Sequence, residues 1–413
     1  MTNPTLQTNP MPPNCVTPRA TLHASSGVRV RAGLLAGLFA SLLSGSIHAE
    51  EFIVGAHMPL TGPLARSGTA FNEGIMSAVD MFNRSNGKNQ IKMMTIDDES
   101  APAKAVAAVE KLSSDHVAAI IGGYGSNIIG PASDAANRQN ITYITAGAVS
   151  NDLTKRGYKT FFRINNTRGY ELAVEKLIGE MKAKSVSVVY STKEATSELA
   201  KDLSKALGAR GIKVTMHAFD PAMTDFKPVI NKIKLQDKPD VILMSGYETD
   251  YVGIIRAIKV LKPEIKSIVG VWSLATAKMA SDFPDLMPNV IGTAMLPFPA
   301  EYSTAEGKQF AETYKRLYGK EVDYLAQFGY VKASLLFEAI VRANNAGTLK
   351  KGGLSEELRK TNRDTLIGRV TFDANGDNPN FSHRMGQHQG SKIVIVSPAA
   401  EATGALKYPA LPW

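Results

Sequence analysis

A single cysteine, Cys15, occurs in 413 residues, and the chain from residue 16 onward has none. Over that length disulfides, cysteine-bound zinc and thiol nucleophiles are excluded. Histidine is also scarce, at seven. His57, His116 and His217 stand alone, and His383 and His388 sit five apart in a stretch that reads as a polar loop. With no HExxH and no dense cluster of acids and histidines, neither a metal nor another cofactor is expected. There is no G-x-S-x-G elbow and no phosphate-binding glycine loop, so no catalytic residue is expected and the chain does not read as an enzyme. Asp97-Asp98-Glu99 reads as a solvated acidic turn rather than a paired-carboxylate centre. Aromatics make up 7% of the chain and do not interleave with the bases, which never form a block of five or six. A nucleic-acid surface is therefore not expected, and the net charge of +9 reads as solubility.

What is present is an ordinary globular composition, 44% apolar and 21% charged, long enough for two or three domains. The first 49 residues contain three arginines and no acid. Within them Arg29 and Arg31 precede an apolar run, Ala32 to Ile47, and Ile47-His48-Ala49 offers a small residue for cleavage. Residues 1–49 are read as a leader with a secretory signal peptide, the run being shorter than the roughly 20 residues of a membrane span. A cysteine-free exported chain starting at Glu50 must be stable through its core, and the periplasm fits best.

From Phe52 the sequence alternates apolar strands with amphipathic helices. Strands are read at 52–60, 91–96, 117–123, 141–145 and 161–164, with helices between them at 68–85, 103–115 and 128–138. The pattern restarts with helix 170–181 and strands at 185–190, 213–218, 241–245 and 268–271. Such alternation means parallel strands with crossover helices, that is, two doubly wound α/β lobes. The last third has long helices at 308–317 and 330–343 and late strands at 370–372 and 393–396, too few for a third sheet. It is expected to complete the first two lobes, with residues 50–164 and 297–371 in lobe 1 and 165–296 and 372–413 in lobe 2. Three crossings would then form a hinge between lobes that clamp a ligand.

The most informative stretch is Ile120-Ile121-Gly122-Gly123-Tyr124-Gly125-Ser126, a buried strand running into a glycine turn before a helix. Helix N-termini attract anions, and glycines admit close backbone approach. It fails as a dinucleotide fingerprint, since Ile128 stands where the third glycine would fall. It can be a carboxylate seat built on Ser126 or a plain tight turn. A second such turn, Thr61 to Gly68 with Arg66 in it, lies at the same sheet edge, where open parallel sheets bind ligands.

These residues carry a resemblance. With Thr61-Gly62-Pro63, Asp97-Asp98, Ile121-Gly122…Ser126…Pro131-Ala132-Ser133, Leu153-Thr154…Gly157-Tyr158, Gly246-Tyr247 and Gly368…Phe372-Asp373…Gly376, the chain from about 52 to 397 resembles the leucine/isoleucine/valine-binding family. These are the type I periplasmic solute-binding proteins of ABC importers. The resemblance implies a type I binding-protein fold, ABC permease partners in the inner membrane and a small-molecule carboxylate or amino acid as ligand. A monomer with no nucleic-acid partner is expected. The resemblance places the ligand's carboxylate on Ser126, with Tyr124 beside it, and on the backbone of Gly147, Ala148 and Val149, and has Tyr247 close from lobe 2. The family's amino-acid binders hold the ammonium with a hydroxyl where this chain has Val149 and an acid where it has Trp272. Their tyrosine in the first loop of lobe 2 is replaced by Ala195-Thr196. These departures favour an aromatic or apolar acid without an ammonium, seated by Ser126 and Arg66 and stacked on Trp272 and Tyr247. The alternatives are a branched-chain amino acid, its ammonium taken by Glu248 or Asp250, and a ligand-sensing receptor.

Overall fold

The computed structural model describes residues 50–410. Residues 1–49, where a leader and a cleavage site are expected, lie outside the described residues, as does Trp413.

Five strands, β1 Glu50–Met58, β2 Asn89–Asp97, β3 Ile120–Ile121, β4 Tyr143–Thr145 and β5 Phe161–Arg163, make a first sheet in the order β2-β1-β3-β4-β5. All its pairings are parallel. Each connection is helical: α1 Ala65–Ser85, α2 Pro102–Ser114, α3 Ser126–Arg138 and the single turn α4 Asp152–Lys155. The chain then leaves this sheet through α5 Thr167–Met181 and builds β6 Ser185–Ser191, α6 Glu194–Ala209, β7 Lys213–Phe219, α7 Lys227–Lys232 and β8 Val241–Ser245. It continues with α8 Glu248–Leu261, β9 Ser267–Gly270, α9 Ala277–Asp282 and β10 Ile291–Ala294. Strand β10, with the sequence Ile-Gly-Thr-Ala, is too short to stand out as an apolar run, and the sequence reading passes over it.

After β10 the chain returns to the first lobe with α10 Ala305–Tyr318 and α11 Tyr324–Asn345, both packed on α1. There α1 and α11 cross with their backbones touching. A Cβ on Gly74 would lie 1.9 Å from the Ala326 carbonyl oxygen, and one on Gly329 would lie 2.1 Å from that of Phe71. Only glycine fits at either place. After α12 Leu354–Arg359, strands β11 Asn362–Thr365 and β12 Gly368–Thr371 pair only with each other. The late strand read near 370 therefore joins neither large sheet. Finally β13 Arg384–Gln389 and β14 Lys392–Ser397 add an antiparallel edge to the second sheet, in the order β14-β13-β10-β9-β8-β6-β7.

Three sequence expectations are corrected here. His383 and His388 are not in a polar loop: both are buried, and His388 sits within β13 with Nε2 2.9 Å from the Leu274 carbonyl. His57 does not stand alone, since its ring bridges Asp98 (2.8 Å) and the Tyr143 hydroxyl (2.5 Å); nor does His217, which meets Asp237 at 2.5 Å. The acidic turn is not uniformly solvated. Asp98 is fully buried against His57, and Asp97 accepts the Leu60 N–H and the Thr61 hydroxyl, fixing the first loop. A buried carboxylate needs such partners, and here they come from distant strands.

Candidate ligand-binding site

The carboxyl ends of β3, β4 and β5 form one side of a cleft. Gly125, at φ +93°, turns the chain out of the sheet, and Ser126 opens α3, whose first N–H groups have no partner within the helix. The buried Ser126 Oγ accepts the N–H groups of Val149 and Ser150, each at 3.1 Å. Both acceptor positions of the oxygen are thereby used, which leaves the hydroxyl proton to donate. Gly125 N–H donates to the Gly147 carbonyl at 2.8 Å, tying the 123–126 turn to the 146–149 loop. The His57, Asp98 and Tyr143 row supports this turn from behind, lying against Gly122 and Gly123.

The second lobe meets this edge directly. Tyr247, which caps α8, stacks on Trp272 with ring centroids 5.9 Å apart and meets the edge of Tyr124 at 6.2 Å. Trp272 and Ser273 follow β9 with φ +37° and +29°. Two consecutive side-chain-bearing residues in the left-handed region cost of order 1–3 kcal/mol each, and such strain clusters at ligand clamps. Between the lobes lies a cavity of about 20 Å³, room for a water molecule and little more. Any larger guest must part the two lobes or turn the rings.

Six of the eight residues read from the sequence come together in that wall: Tyr124, Ser126, Gly147, Val149, Tyr247 and Trp272. Ala148 is buried behind it. Arg66 is elsewhere, and its expected place at the anion seat is corrected. Its Nε donates to Asp282 at 2.6 Å, and its Nη1 is 3.7 Å from Glu248. It belongs to the seal between the lobes, where Ser67 donates to Glu248 at 2.7 Å and meets Ser273 at 2.8 Å. Asp323, which caps α11, also accepts the Ala277 N–H across the cleft at 3.0 Å. Burial pushes the Glu248 carboxyl up to about 7 and that of Asp323 up to about 6. Asp250 is occupied as well, accepting the Tyr247 N–H at 2.8 Å.

The sequence reading missed the wall residues Phe71, Asn165, Tyr170, Tyr324 and Phe328. Two of these lie on α11, a stretch the sequence reading assigns to lobe 1, but nothing local in it shows which of its residues reach the cleft. Asn165 was within reach, because it follows the fifth strand at the same sheet edge. Among the described residues, the wall contains no Asp, Glu, Lys or Arg. Burial also raises the phenols of Tyr124, Tyr170 and Tyr247 well above their ordinary value, so the wall is neutral at physiological pH.

Among curated proteins, the chain is 24% identical over 348 residues to a leucine-, isoleucine-, valine-, threonine- and alanine-binding protein of Pseudomonas aeruginosa, covering 83% of this chain and 91% of that one. It is 27% identical to a Leu/Ile/Val-binding protein of Rhizobium johnstonii over 87% of this chain and 98% of the relative. Among solved structures, a leucine-binding protein from Thermotoga maritima superposes with a TM-score of 0.76 at 22% identity, over 84% of this chain and 99% of that one. A solute-binding protein from R. palustris, in complex with benzoate, gives 0.75 at 20% identity over 86% and 98%. The family described as periplasmic binding protein matches residues 52–392. Two parallel-sheet lobes, a cleft at the strand ends and a match along nearly the whole described chain lead to one statement: this protein is a member of the periplasmic binding protein family.

Proposed function

We propose that this protein is the periplasmic receptor of an ABC importer and that it captures a small aromatic or apolar carboxylate between its lobes. Its signal peptide would deliver it to the periplasm. The closed form would present both lobes to the permease as a monomer, with no catalysis. The observation that carries the ligand class is the uncharged wall with Ser126 at one end. An anion's carboxylate accepts a hydrogen bond from the Ser126 hydroxyl, and the rings of the wall cover an apolar body. A zwitterionic amino acid would bury an ammonium with no acid in the wall, at a cost of several kcal/mol. Glu248 and Asp250, the two acids nearest Tyr247 in sequence, are engaged with Ser67 and with backbone.

The competing reading, a branched-chain amino acid, is favoured by what the curated relatives are named for. A thermal-shift panel of amino acids and carboxylates separates the two, because a ligand of the native state raises the melting temperature. Benzoate-type acids should stabilise the protein and leucine should not. Leucine binding with no response to any acid lacking an ammonium would refute the proposal. Tryptophan fluorescence supplies an independent readout, with Trp272→Phe identifying the reporter.

A further inference from the structure

Three residues of the cavity wall carry a buried polar atom without a hydrogen-bond partner, Asn165 (Oδ1), Trp272 (Nε1) and Tyr324 (the hydroxyl). The Tyr324 hydroxyl has that of Thr293 for a neighbour, which leaves Asn165 and Trp272. Both residues are more than nine-tenths buried. Tyr170, also in the wall, brings them to one side of the cavity. Its hydroxyl accepts from Asn165 Nδ2 at 3.0 Å, and its ring meets that of Trp272 edge-on with centroids 6.1 Å apart. Buried polar groups are nearly always paired, so each orphan needs an explanation.

The place of Asn165 in the first sheet separates it from the carboxylate seat. In the order β3-β4-β5, Ser126 follows β3 and Asn165 follows β5, with the 146–149 loop between them. Two strand spacings put them about 10 Å apart, the two ends of one small elongated ligand.

We infer that the ligand carries a hydroxyl at the end remote from its carboxylate, and that Asn165 and Trp272 read it. This rests on the carboxylate reading above. The two orphans ask for opposite things, since Asn165 Oδ1 needs a donor and Trp272 Nε1 needs an acceptor. A hydroxyl supplies both. An ammonium would leave the indole N–H unpaired, and a ketone or second carboxylate would leave the amide oxygen unpaired. An unsubstituted hydrocarbon end satisfies neither.

The test compares matched acids on the whole mature protein by calorimetry: benzoate with 4-hydroxybenzoate, phenylacetate with 4-hydroxyphenylacetate, and hexanoate with 6-hydroxyhexanoate. In at least one pair the hydroxylated acid should bind about tenfold or more tightly. Asn165→Leu and Trp272→Phe should each shrink that ratio toward one, and ligand-free melting curves show whether each variant is folded. If Asn165→Leu does not fold, Trp272→Phe and the wild-type series still decide. Equal affinities within every pair would mean that a trapped water satisfies the two atoms, which overturns this inference and leaves the carboxylate reading intact. A ratio that persists in both folded variants overturns it as well. Leucine binding with no response to any acid in the series overturns both.

Discussion

Tyr247 and Glu248 are neighbours in sequence, yet they serve two differently built regions. Tyr247 belongs to a cavity wall of rings, aliphatic side chains, one serine and one asparagine, with no charged side chain among the described residues. Glu248 belongs to a seal in which Arg66, Asp282, Ser67, Ser273 and Asp323 bridge the lobes. The difference assigns separate tasks. A neutral, desolvated interior discriminates among ligands, because any charge without a partner is penalised there. A charged seal sets how firmly the lobes hold together, and it responds to pH and salt.

The largest expected effect breaks the interior side of this comparison. A hydrogen bond to a charged group is worth about 1.5–3 kcal/mol, so Ser126→Ala should weaken carboxylate binding roughly 10- to 150-fold. Its melting temperature without ligand should fall as well, since the buried Val149 and Ser150 N–H groups lose their acceptor, while the Gly125–Gly147 hydrogen bond still ties the loops together. Titration calorimetry checks the first statement and a thermal melt the second.

A second prediction sharpens the seal. Glu248 is held at about 7 and Asp323 at about 6 by burial, and lobe opening would return both toward the ordinary carboxylate range. The closed form then binds more protons than the open one between about pH 4.5 and 7, so closure weakens as pH rises through that window. Ligand affinity should fall roughly tenfold or more from pH 5 to pH 8. Glu248→Gln should flatten the larger part of the slope, leaving the Asp323 part. The groups facing Glu248 are Arg66 and Ser67, the latter held in turn by Ser273, with the Asp323 carboxylate opposing it. Of these only Asp323 titrates in the window. A third and smaller effect concerns Arg66 itself. Its side chain is 34% exposed, and pairs of that kind are worth about 0.2–1 kcal/mol. Arg66→Ala should therefore weaken ligand binding at most about fivefold, with high salt masking the difference.

The same contrast explains what was legible in the sequence. The glycine turn and Ser126 could be read because their signal is local, a strand, a turn and a helix start within a dozen residues. The alternation behind the parallel strands of both sheets is local too. The seal was not legible: Arg66 meets Asp282 from 216 residues away, and no periodicity encodes that meeting. Strand β13 was missed for a different reason. Its sequence, Arg-Met-Gly-Gln-His-Gln, carries almost no apolar signal, since Gln387 and His388 are buried by hydrogen bonding to backbone carbonyls. Trp272 and Val149 both lie in the wall, but the polar atoms beside them emerge only once Asn165 and Tyr170 are seen in three dimensions.

The bare-backbone crossing at Gly74 and Gly329 has a consequence for how such a receptor diversifies. Phe71, Leu325 and Phe328 ride on the two helices that meet there, and all three form part of the wall. Because neither glycine can acquire a side chain without prising the helices apart, that portion of the wall is inherited as a fixed platform. A lineage exchanging one cargo for another is left to work on positions of the second lobe, above all Ala195, Tyr247 and Trp272. Sister receptors with altered diets should therefore vary at those three places while the crossing stays as it is.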